Sequence, residues 1–397
     1  MVDLVTAWSA INTGSYHLAG LERFATVLAT EFSPLGGTME LIDLPPQEII
    51  DRHGKIALQP LGRAIRITRR PTSPLQVLLA IHYDTVFAVD HPFQAPIQLD
   101  SNTLRGPGVA DAKGGLVVML TALETLERSG VASQLGWEIL LTPDEELGSP
   151  GSSALFEQAA KRNDIGLVFE PALPDGSLVG IRKGSGNFTA VVTGRAAHAG
   201  RNPELGRNAI HALADFIVLA HDMPTLIPGV TVNVGQIEGG GPVNIVPNLA
   251  IARLNIRVDS TDQQRSAESR LAQILNEINS REGISLKLHG SFTAPPKLMD
   301  DSTLNLFHQI QECGRELGLT LDWKPAGGVC DGNRLAAAGL PTVDTLGPRG
   351  GNLHSDSEYL LLDSLTERAK LTLSLLFQYA TGEFKPMKPR PLPARCP

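Results

Sequence analysis

The sequence predicts an α/β protein in which a mixed sheet is flanked by helices and a smaller α+β domain is inserted. Long apolar runs that end in polar residues, such as "LQVLLAIHYDTVF", are typical of strands covered on both faces. These runs alternate with segments of helical apolar spacing, which is the order of a parallel or mixed sheet with helices packed on it. In the middle of the chain, strands alternate between apolar and polar residues, which indicates a sheet with one covered face.

The first predicted helix has apolar residues at helical spacing and ends at a Pro-Leu-Gly-Gly sequence; these residues are Leu18, Leu21, Phe24, Leu28 and Phe32. Further elements follow in chain order: strands in "TMELIDL", "AIRITRR" and "LQVLLAIHYDTVF", a helix from Gly114 to Ser129, a strand in "GWEILLTPDEE", a helix in "SSALFEQAAKR" and a strand in "IGLVFEP". This alternation predicts the main sheet.

The middle of the chain has the order β-α-β-β-α-β, which is that of the ferredoxin-like split unit. Its second helix is expected to begin after an N-cap at Thr261 or Asp262. After it, the α/β pattern resumes with a helix in "TLNLFHQIQECGRELG" and a strand in "TVDTLGP". We therefore expect residues 1–182 and 293–397 to form one domain and residues 183–292 to form the insert.

Composition excludes several classes of protein. The 397 residues are 42% hydrophobic and 19% charged, which is typical of a folded protein of two or three domains. The net charge of −8 disfavours binding to nucleic acid or to an anionic membrane, since both require a basic face. No apolar stretch reaches the roughly 18 residues of a membrane span, and the N-terminus lacks a signal-peptide pattern, so a cytoplasmic location is expected.

Carboxylates and imidazoles follow the predicted strands of the main sheet, where open α/β sheets bind ligands. These residues are His82, Asp84, Asp111, Asp144, Glu145, Glu146, Glu170 and His354. Each has a structural alternative: a hydrogen-bonded core histidine, a helix N-cap at Asp111, or a solvated turn at Glu145 and Glu146. Together they concentrate negative charge at one sheet edge, which a bound cation would neutralise.

The donor types narrow the choice of metal. Mixed nitrogen and oxygen donors suit Zn²⁺, and Mn²⁺ or Co²⁺ fits the same donors. Cys313, Cys330 and Cys396 lack metal-site spacing and are expected to be buried or incidental thiols. Two histidines and three carboxylates are too many for one tetrahedral ion and suit two ions that share a carboxylate. A further carboxylate is then left for general-base catalysis.

At this point the sequence resembles the M20 metallopeptidases, and most closely their glutamate carboxypeptidase-like branch. The resemblance is carried by "HYDTV" at 82–86, "GPGVADAKGG" at 106–115, "PDEELGSPGS" at 143–152, "FEP" at 169–171, "GRAAHAG" at 194–200, "NIVPNLA" at 244–250 and "HSDSEYL" at 354–360. These motifs occur in the family's order and cover nearly the whole chain. The resemblance implies a zinc-peptidase-like catalytic domain with an inserted dimerisation domain.

The resemblance also implies roles for single residues around two zinc ions per subunit. His82 and Glu170 would bind one ion, and Glu146 and His354 the other. Asp111 would bridge the two ions, and the Asp111–Ala112 peptide would be cis. Glu145 would be the general base, and Asp84 would accept a hydrogen bond from His82 and fix its tautomer. Asp144 is expected to accept hydrogen bonds from N–H groups of its loop.

Three residues of the insert receive roles by the same resemblance. His198 would reach the active site of the partner subunit in a homodimer and polarise the scissile carbonyl, although by itself it resembles an ordinary loop histidine. Asn244 and Arg257 would hold the substrate, with Arg257 on its carboxylate. By itself, Arg257 is a surface strand residue. The glycine-rich loops at 325–333 and 347–351 are either plain turns or backbone contacts with substrate.

These observations predict a dinuclear zinc hydrolase that cleaves an amide or peptide bond next to a free carboxylate. The substrate would be a small peptide or an N-acyl amino acid. An N-acyl-amino-acid deacylase of the acetylornithine type shares every metal residue and is the alternative. A non-catalytic metal-binding scaffold would show a lost ligand or a lost base, and neither is lost here. Another branch of the superfamily has a cysteine where this chain has Asp111. The aspartate therefore argues against membership of that branch.

Overall fold

The computed structural model describes residues 1–387, which divide into two compact units. The first unit contains Met1–Gln47, Pro60–Arg182 and the residues from Lys297 onward. The second contains Lys183–Pro296 together with Glu48–Gln59, a segment that sequence patterns do not separate from the first unit. This segment joins the second unit because Arg253 donates a hydrogen bond of 2.7 Å to the carbonyl of Ile50.

The elements are numbered in chain order. The helices are α1 (Val2–Ser9), α2 (Leu18–Phe32), α3 (Gly115–Glu127), α4 (Ser153–Arg162), α5 (Ala209–His221), α6 (Met223–Leu226), α7 (Thr261–Asn279), α8 (Asp301–Glu316), α9 (Asp331–Ala337) and α10 (Leu362–Thr381). The first nine strands are β1 (Thr38–Asp43), β2 (Gln47–Ile50), β3 (Ile56–Gln59), β4 (Arg63–Arg69), β5 (Gln76–His82), β6 (Ile97–Gln98), β7 (Thr103–Arg105), β8 (Gly136–Thr142) and β9 (Ile165–Val168). The others are β10 (Leu178–Arg182), β11 (Gly184–Thr193), β12 (Thr231–Gly239), β13 (Leu249–Val258), β14 (Ser285–Ala294), β15 (Trp323–Ala326), β16 (Thr342–Val343), β17 (Gly350–Gly351) and β18 (Tyr359–Leu361).

The first unit is built on a six-stranded sheet with the order β1-β4-β8-β5-β9-β16. Strands β8, β5, β9 and β16 are parallel neighbours, whereas β1 and β4 pair antiparallel at one edge. Every residue of β8 and β9 is buried, as expected for strands with both faces covered. The predicted α/β class with a mixed sheet is therefore confirmed.

Helices cover this sheet and complete the core of the first unit. Helix α3 is apolar on nearly all sides and is almost entirely buried, which is typical of a core helix. Helix α10 packs against α3 and buries Leu365, Leu375 and Leu376. The sequence patterns did not predict α10.

The second unit contains a four-stranded antiparallel sheet with the order β12-β13-β11-β14. Helices α5 and α7 share one apolar core with this sheet, to which Phe216 and Ile274 belong. The N-cap of α7 is Ser260, whose hydroxyl accepts from the N–H of Gln263. The predicted cap at Thr261 or Asp262 is therefore wrong, because the helix begins one residue earlier.

Two further predictions concern cysteines and membranes. Cys313 and Cys330 are buried free thiols, as expected, and Cys396 lies outside the described residues. Within residues 1–387, no helix has the length and apolar character that a membrane crossing requires.

Candidate metal centre

Three parallel strands of the first unit bring acidic residues and a histidine to one edge of the sheet. His82 is the last residue of β5, and its neighbours β8 and β9 end just before Glu145, Glu146 and Glu170. Because carboxyl ends of parallel strands lie at the same edge, these side chains meet although they are far apart in the chain.

Two further donors reach this edge from loops. Asp111 lies in the turn before α3, and His354 lies between β17 and β18 with a left-handed φ of 60°. Asp111 follows no strand directly and does not cap α3, whose N-cap is Gly114. The structure thus contradicts both the strand-end placement and the N-cap alternative for Asp111. The Asp111–Ala112 peptide is cis, as the family resemblance implies.

The two carboxylate oxygens of Asp111 face different histidines. Oδ1 lies 2.9 Å from Nε2 of His82, and Oδ2 lies 3.3 Å from Nε2 of His354. Glu146 Oε2 lies 3.2 Å from the same nitrogen of His354, and Glu170 Oε1 lies 3.7 Å from Nε2 of His82. The cluster therefore has two halves that share Asp111.

This donor set fits a metal ion. Donor atoms of His82, Asp111 and Glu146 all lie within 4.8 Å of one another. Glu170 Oε1 is buried and has no hydrogen-bond partner, although a buried carboxylate oxygen is costly to leave unpaired. Nitrogen and oxygen donors without a thiolate suit zinc or a similar divalent ion. A bond from Oε1 of Glu170 to such an ion would satisfy this buried oxygen.

The electrostatics of the cluster also fit a bound cation. Burial and the nearby carboxylate of Asp111 raise the pKa of Glu170 above its usual range and together bring that of Glu146 to about 7. Hydrogen bonds that His354 donates to Asp111 and Glu146 raise the pKa of His354 to about 11. Burial lowers the pKa of His82, but the surrounding carboxylates outweigh it and raise that pKa well above its usual value. Burial and mutual repulsion thus disfavour the ionised carboxylates, and a bound cation would favour them.

Asp84 connects the histidine of one half to the turn that carries the glutamates. Its carboxylate is fully buried, and Oδ1 lies 3.3 Å from Nδ1 of His82. The same carboxylate accepts from the backbone N–H groups of Glu145 and Glu146, both at 3.2 Å, and from the hydroxyl of Ser15 at 2.7 Å. With Nδ1 donating, Nε2 of His82 is left to act as a ligand.

Glu145 and Glu146 differ in their surroundings although they are adjacent. Glu146 belongs to the compact group that it forms with His82 and Asp111, and it also contacts His354, whereas Glu145 is outside that group. Burial raises the pKa of Glu145 well above its usual value, and Glu170 raises it further although His82 opposes the shift. The carboxylate of Glu145 therefore lies close to the charged groups of the cluster.

Sequence reasoning missed two acidic residues that hold the cluster in place. Glu358 accepts from the backbone N–H groups of Gly108, Ala110 and Asp111 at 2.9–3.1 Å and so holds the turn that carries Asp111. It lies in the "HSDSEYL" motif, which is the only signal that could have found it.

The second missed residue is Asp331, which is 2% exposed at the start of α9. Its carboxylate accepts from the hydroxyl of Ser149 and lies 3.3 Å from Nε of Arg334. Arg334 in turn donates to the carbonyl of Gly148. Both contacts hold the far end of the turn that begins at Glu145. Asp331 lies in the glycine-rich loop 325–333, which was expected to be a turn or a backbone contact with substrate.

Asp144 and Lys297 also have defined contacts. Asp144 accepts from the N–H groups of Gly151 and Ser152, so its predicted structural role is confirmed. Lys297 is fully buried and lies 2.7 Å from Asp344, which also accepts two hydrogen bonds from Arg182. These contacts lie behind the cluster and not within it.

His198, Asn244 and Arg257 lie in the second unit. Nδ1 of His198 accepts from the N–H groups of Gly200 and Arg201, so its Nε2 carries the ring proton. The carbonyl of Asn244 accepts from the N–H of Ala199 at 2.9 Å, which places Asn244 next to the His198 loop. Arg257 lies near the end of β13, with Nε donating to Asn255 at 3.1 Å.

Comparison with known proteins connects this geometry to a family. The model of peptidase family M20/M25/M40 matches residues 78–378. Carboxypeptidase G2 from Pseudomonas sp. (strain RS-16) is 28% identical over 316 residues, which cover 77% of this chain and 74% of that protein. A succinyl-diaminopimelate desuccinylase from Pseudomonas syringae pv. syringae is 30% identical over 295 residues, which cover 70% of this chain and 75% of that protein.

Solved structures show the same fold at lower identity. An M20 family metallo-carboxypeptidase from Sulfolobus solfataricus has a TM-score of 0.73 and 18% identity, covering 96% of this chain and 99% of that chain. A dinuclear metal-binding peptidase from Bacillus subtilis has a TM-score of 0.63 and 14% identity, covering 96% and 98% of the two chains. The resemblance inferred from the sequence motifs is confirmed.

Proposed function

Because the chain belongs to peptidase family M20/M25/M40 and is a metallohydrolase, we propose that it uses two zinc ions to cleave an amide or peptide bond next to a free carboxylate. The observation that carries this proposal is the position of Asp111, whose two oxygens face His82 and His354. A carboxylate shared in this way is what two neighbouring ions require.

The two halves of the cluster would each hold one ion. His82 and Glu170 would bind the first, Glu146 and His354 the second, and Asp111 both. When bound, the ions polarise the substrate carbonyl and lower the pKa of the attacking water. Cobalt or manganese could replace zinc with the same donors.

Glu145 would move the proton. Burial and the neighbouring carboxylate of Glu170 raise the pKa of Glu145, which favours a group that accepts a proton and then donates it. Glu145 would accept a proton from the attacking water and deliver it to the leaving nitrogen. Asp84 would keep Glu145 and His82 in position, since it contacts the backbone of one and the ring of the other.

The second unit would supply the contacts with substrate. Nε2 of His198 can donate to the carbonyl oxygen of the scissile bond, and Arg257 can pair with the free carboxylate. Asn244 and His198 lie beyond the β13 end at Leu249, whereas Arg257 lies near the other end. Arg257 follows Leu249 by eight positions along β13, which is a distance of about 26 Å at ~3.3 Å per residue.

This separation supports a homodimer. A dipeptide is at most about 7 Å long, so one substrate cannot contact both ends of the same β13. We infer that His198 and Asn244 act on the partner subunit's substrate, whereas Arg257 acts on that of its own subunit.

A cytoplasmic location remains a prediction.

The alternative is an N-acyl-amino-acid deacylase, which would use the same residues. The name of the desuccinylase relative favours it, whereas the name of carboxypeptidase G2 favours peptide-like substrates. Kinetics on N-acyl amino acids and on dipeptides with the same C-terminal residue separate the two. A peptidase should cleave the dipeptides with the higher kcat/KM, and a deacylase should cleave the N-acyl compounds with the higher value.

The role of Glu145 is tested by Glu145→Gln, which removes the base and keeps its size. We expect kcat to fall by about 10²–10⁴ while zinc content stays at the wild-type level. Glu157→Gln is the matched control, because Glu157 is exposed on α4. Full activity of Glu145→Gln would rule out this mechanism, and so would a loss of activity that only follows loss of zinc.

The role of the partner subunit is tested by mixing two inactive variants, Glu145→Gln and His198→Ala. Subunit exchange would create mixed dimers in which one site has both an intact Glu145 and the partner's His198. About a quarter of the wild-type activity should return, because half of the dimers are mixed and each has one complete site. If exchange is verified and no activity returns, His198 does not act across the dimer.

A further inference from the structure

A pocket of about 370 Å³ opens in the first unit next to the metal centre. Residues 14–17, 85–86 and 88–89 line it, together with Glu146 and Leu147. The two segments are paired, since the N–H of Ser15 donates to the carbonyl of Thr85 at 3.2 Å and the N–H of Thr85 donates to that of Thr13 at 2.9 Å. The walls are therefore held together in the absence of a ligand.

The pocket is lined mainly by apolar groups. Val86, Val89 and Tyr16 are 42%, 58% and 55% exposed, respectively, and all three line the same pocket. Single exposed apolar side chains are ordinary on a protein surface, but a group of them around one concavity indicates a binding site. The hydroxyl of Ser15 is already donated to Asp84, so it adds little polarity to the wall.

Charge determines which half of a substrate this pocket suits. Among the described residues that line it, the one basic side chain is His17, whose Nδ1 already lies 3.0 Å from Oδ1 of Asn12, and none is a lysine or an arginine. The one carboxylate in the lining is that of Glu146. A free carboxylate needs a cation or several N–H donors when it leaves water. The carboxylate-bearing half of the substrate is therefore expected to bind elsewhere, and the pocket is left for the acyl half.

Glu146 joins the pocket to the site of cleavage. It lines the pocket and also contacts His354 in the metal centre. A group in the pocket thus lies beside the bond to be cut. Pockets of roughly 300–1,000 Å³ hold small ligands, and this one is at the lower end of that range, which suits a single side chain or short acyl chain.

We propose that the pocket binds an apolar group on the acyl side of the scissile bond and so sets the specificity of the enzyme. This inference rests on the proposed function, because it assumes cleavage of an amide with a free carboxylate on its amine side. It predicts that a succinyl group is a poor acyl group, since its second carboxylate would enter a mainly apolar pocket that offers no lysine or arginine.

The test compares three acyl groups on the zinc-loaded enzyme. N-acetyl, N-hexanoyl and N-succinyl derivatives of glutamate, leucine and lysine are assayed, and kcat/KM ratios are taken within each amino acid. Each buried methylene contributes about fourfold at full burial, so the hexanoyl compounds should exceed the acetyl compounds at least about tenfold. The succinyl compounds should fall below the hexanoyl compounds by at least about as much.

Variants at Val89 test the assignment of the pocket. Val89→Asp should lower the hexanoyl-to-acetyl ratio at least about fivefold. Val89→Lys should raise the succinyl-to-hexanoyl ratio, because the lysine ammonium can pair with the second carboxylate of the succinyl group. Leu99→Asp is the matched control: Leu99 is 54% exposed in the first unit and does not line the pocket, so both ratios should stay at wild-type values.

The possible outcomes separate the two proposals. Hydrolysis with ratios that are equal for all acyl groups, or that Val89→Lys leaves unchanged, would overturn the pocket assignment and leave the proposed function standing. If the zinc-loaded enzyme hydrolyses none of the compounds and no dipeptide either, the proposed function fails and the pocket assignment fails with it. A hexanoyl preference that shifts with Val89 and not with Leu99 supports both.

Discussion

Replacing Asp84 by Asn tests whether one buried carboxylate holds the metal centre together. The side chain is fully buried and has four donors around it: the hydroxyl of Ser15, Nδ1 of His82 and the N–H groups of Glu145 and Glu146. The substitution keeps the size of the side chain and changes one oxygen into an NH₂ group. It therefore removes acceptors without creating a cavity.

The expected magnitude follows from the four contacts. An asparagine has one acceptor oxygen, and its NH₂ group can only donate, so the N–H of Glu145 or that of Glu146 loses its partner, depending on the orientation. Nδ1 of His82 keeps the backbone carbonyl of Asp84 at 3.1 Å, and the hydroxyl of Ser15 can accept from the NH₂ group. A hydrogen bond to a charged group contributes about 1.5–3 kcal/mol, which is the expected loss before relaxation. Removing the partner of a metal-binding histidine typically weakens metal binding by about 10–100-fold.

The assay is a zinc titration by calorimetry against a competing chelator, with kcat/KM measured on the zinc-loaded protein. Asp300→Asn is the control, because Asp300 caps α8 by accepting from the N–H of Thr303 at 2.7 Å, and asparagine caps helices about as well as aspartate. If Asp84→Asn binds zinc within about twofold of the wild type and keeps its kcat/KM, the assigned role of Asp84 is wrong.

Three further predictions concern the metal, the turn behind it and the stability of the fold. Removing metal with a chelator should abolish activity, and zinc or cobalt should restore it; activity in verified metal-free protein would contradict the proposed chemistry. Asp331→Asn should lower kcat/KM about tenfold with little change in KM, because it loosens the turn at Ser149 without touching substrate, and Asp331→Glu should recover part of the loss. Burial alone would raise the pKa of Asp344, but Arg182 and Lys297 outweigh it and hold that pKa at about 2. Since an unfolded aspartate titrates near ~3.9, the stabilisation is complete above about pH 4 and is lost as pH falls towards 2, an effect of about 2–3 kcal/mol. Denaturant unfolding should therefore show a steeper loss of stability between pH 4 and 2 in the wild type than in Asp344→Asn, and equal slopes would contradict the assigned ion pairs.

Elements with strong periodicity were predictable from the sequence. Strand β5 reads as a continuous apolar run because neighbouring strands and helices cover both of its faces, and α7 reads as amphipathic because one of its faces meets a sheet. The start of α7 was misplaced by one or two residues, since serine, threonine and aspartate can all act as caps and one of each is adjacent there. The extent of the second unit was not predictable, because the β2–β3 hairpin belongs to it only through contacts such as that of Arg253 with Ile50.

By itself, the sequence determined the class of the fold and the set of chemical groups at the centre. Strand ends follow from hydrophobic periodicity, and the order of parallel strands determines which edge they share, so His82, Glu146 and Glu170 could be grouped from the sequence. Only the tertiary structure decided how the groups divide. Asp111 and His354 reach the cluster from loops that have no periodicity, and Asp84 holds the backbone N–H groups of both Glu145 and Glu146. These are contacts between residues far apart in the chain, and no local pattern encodes them.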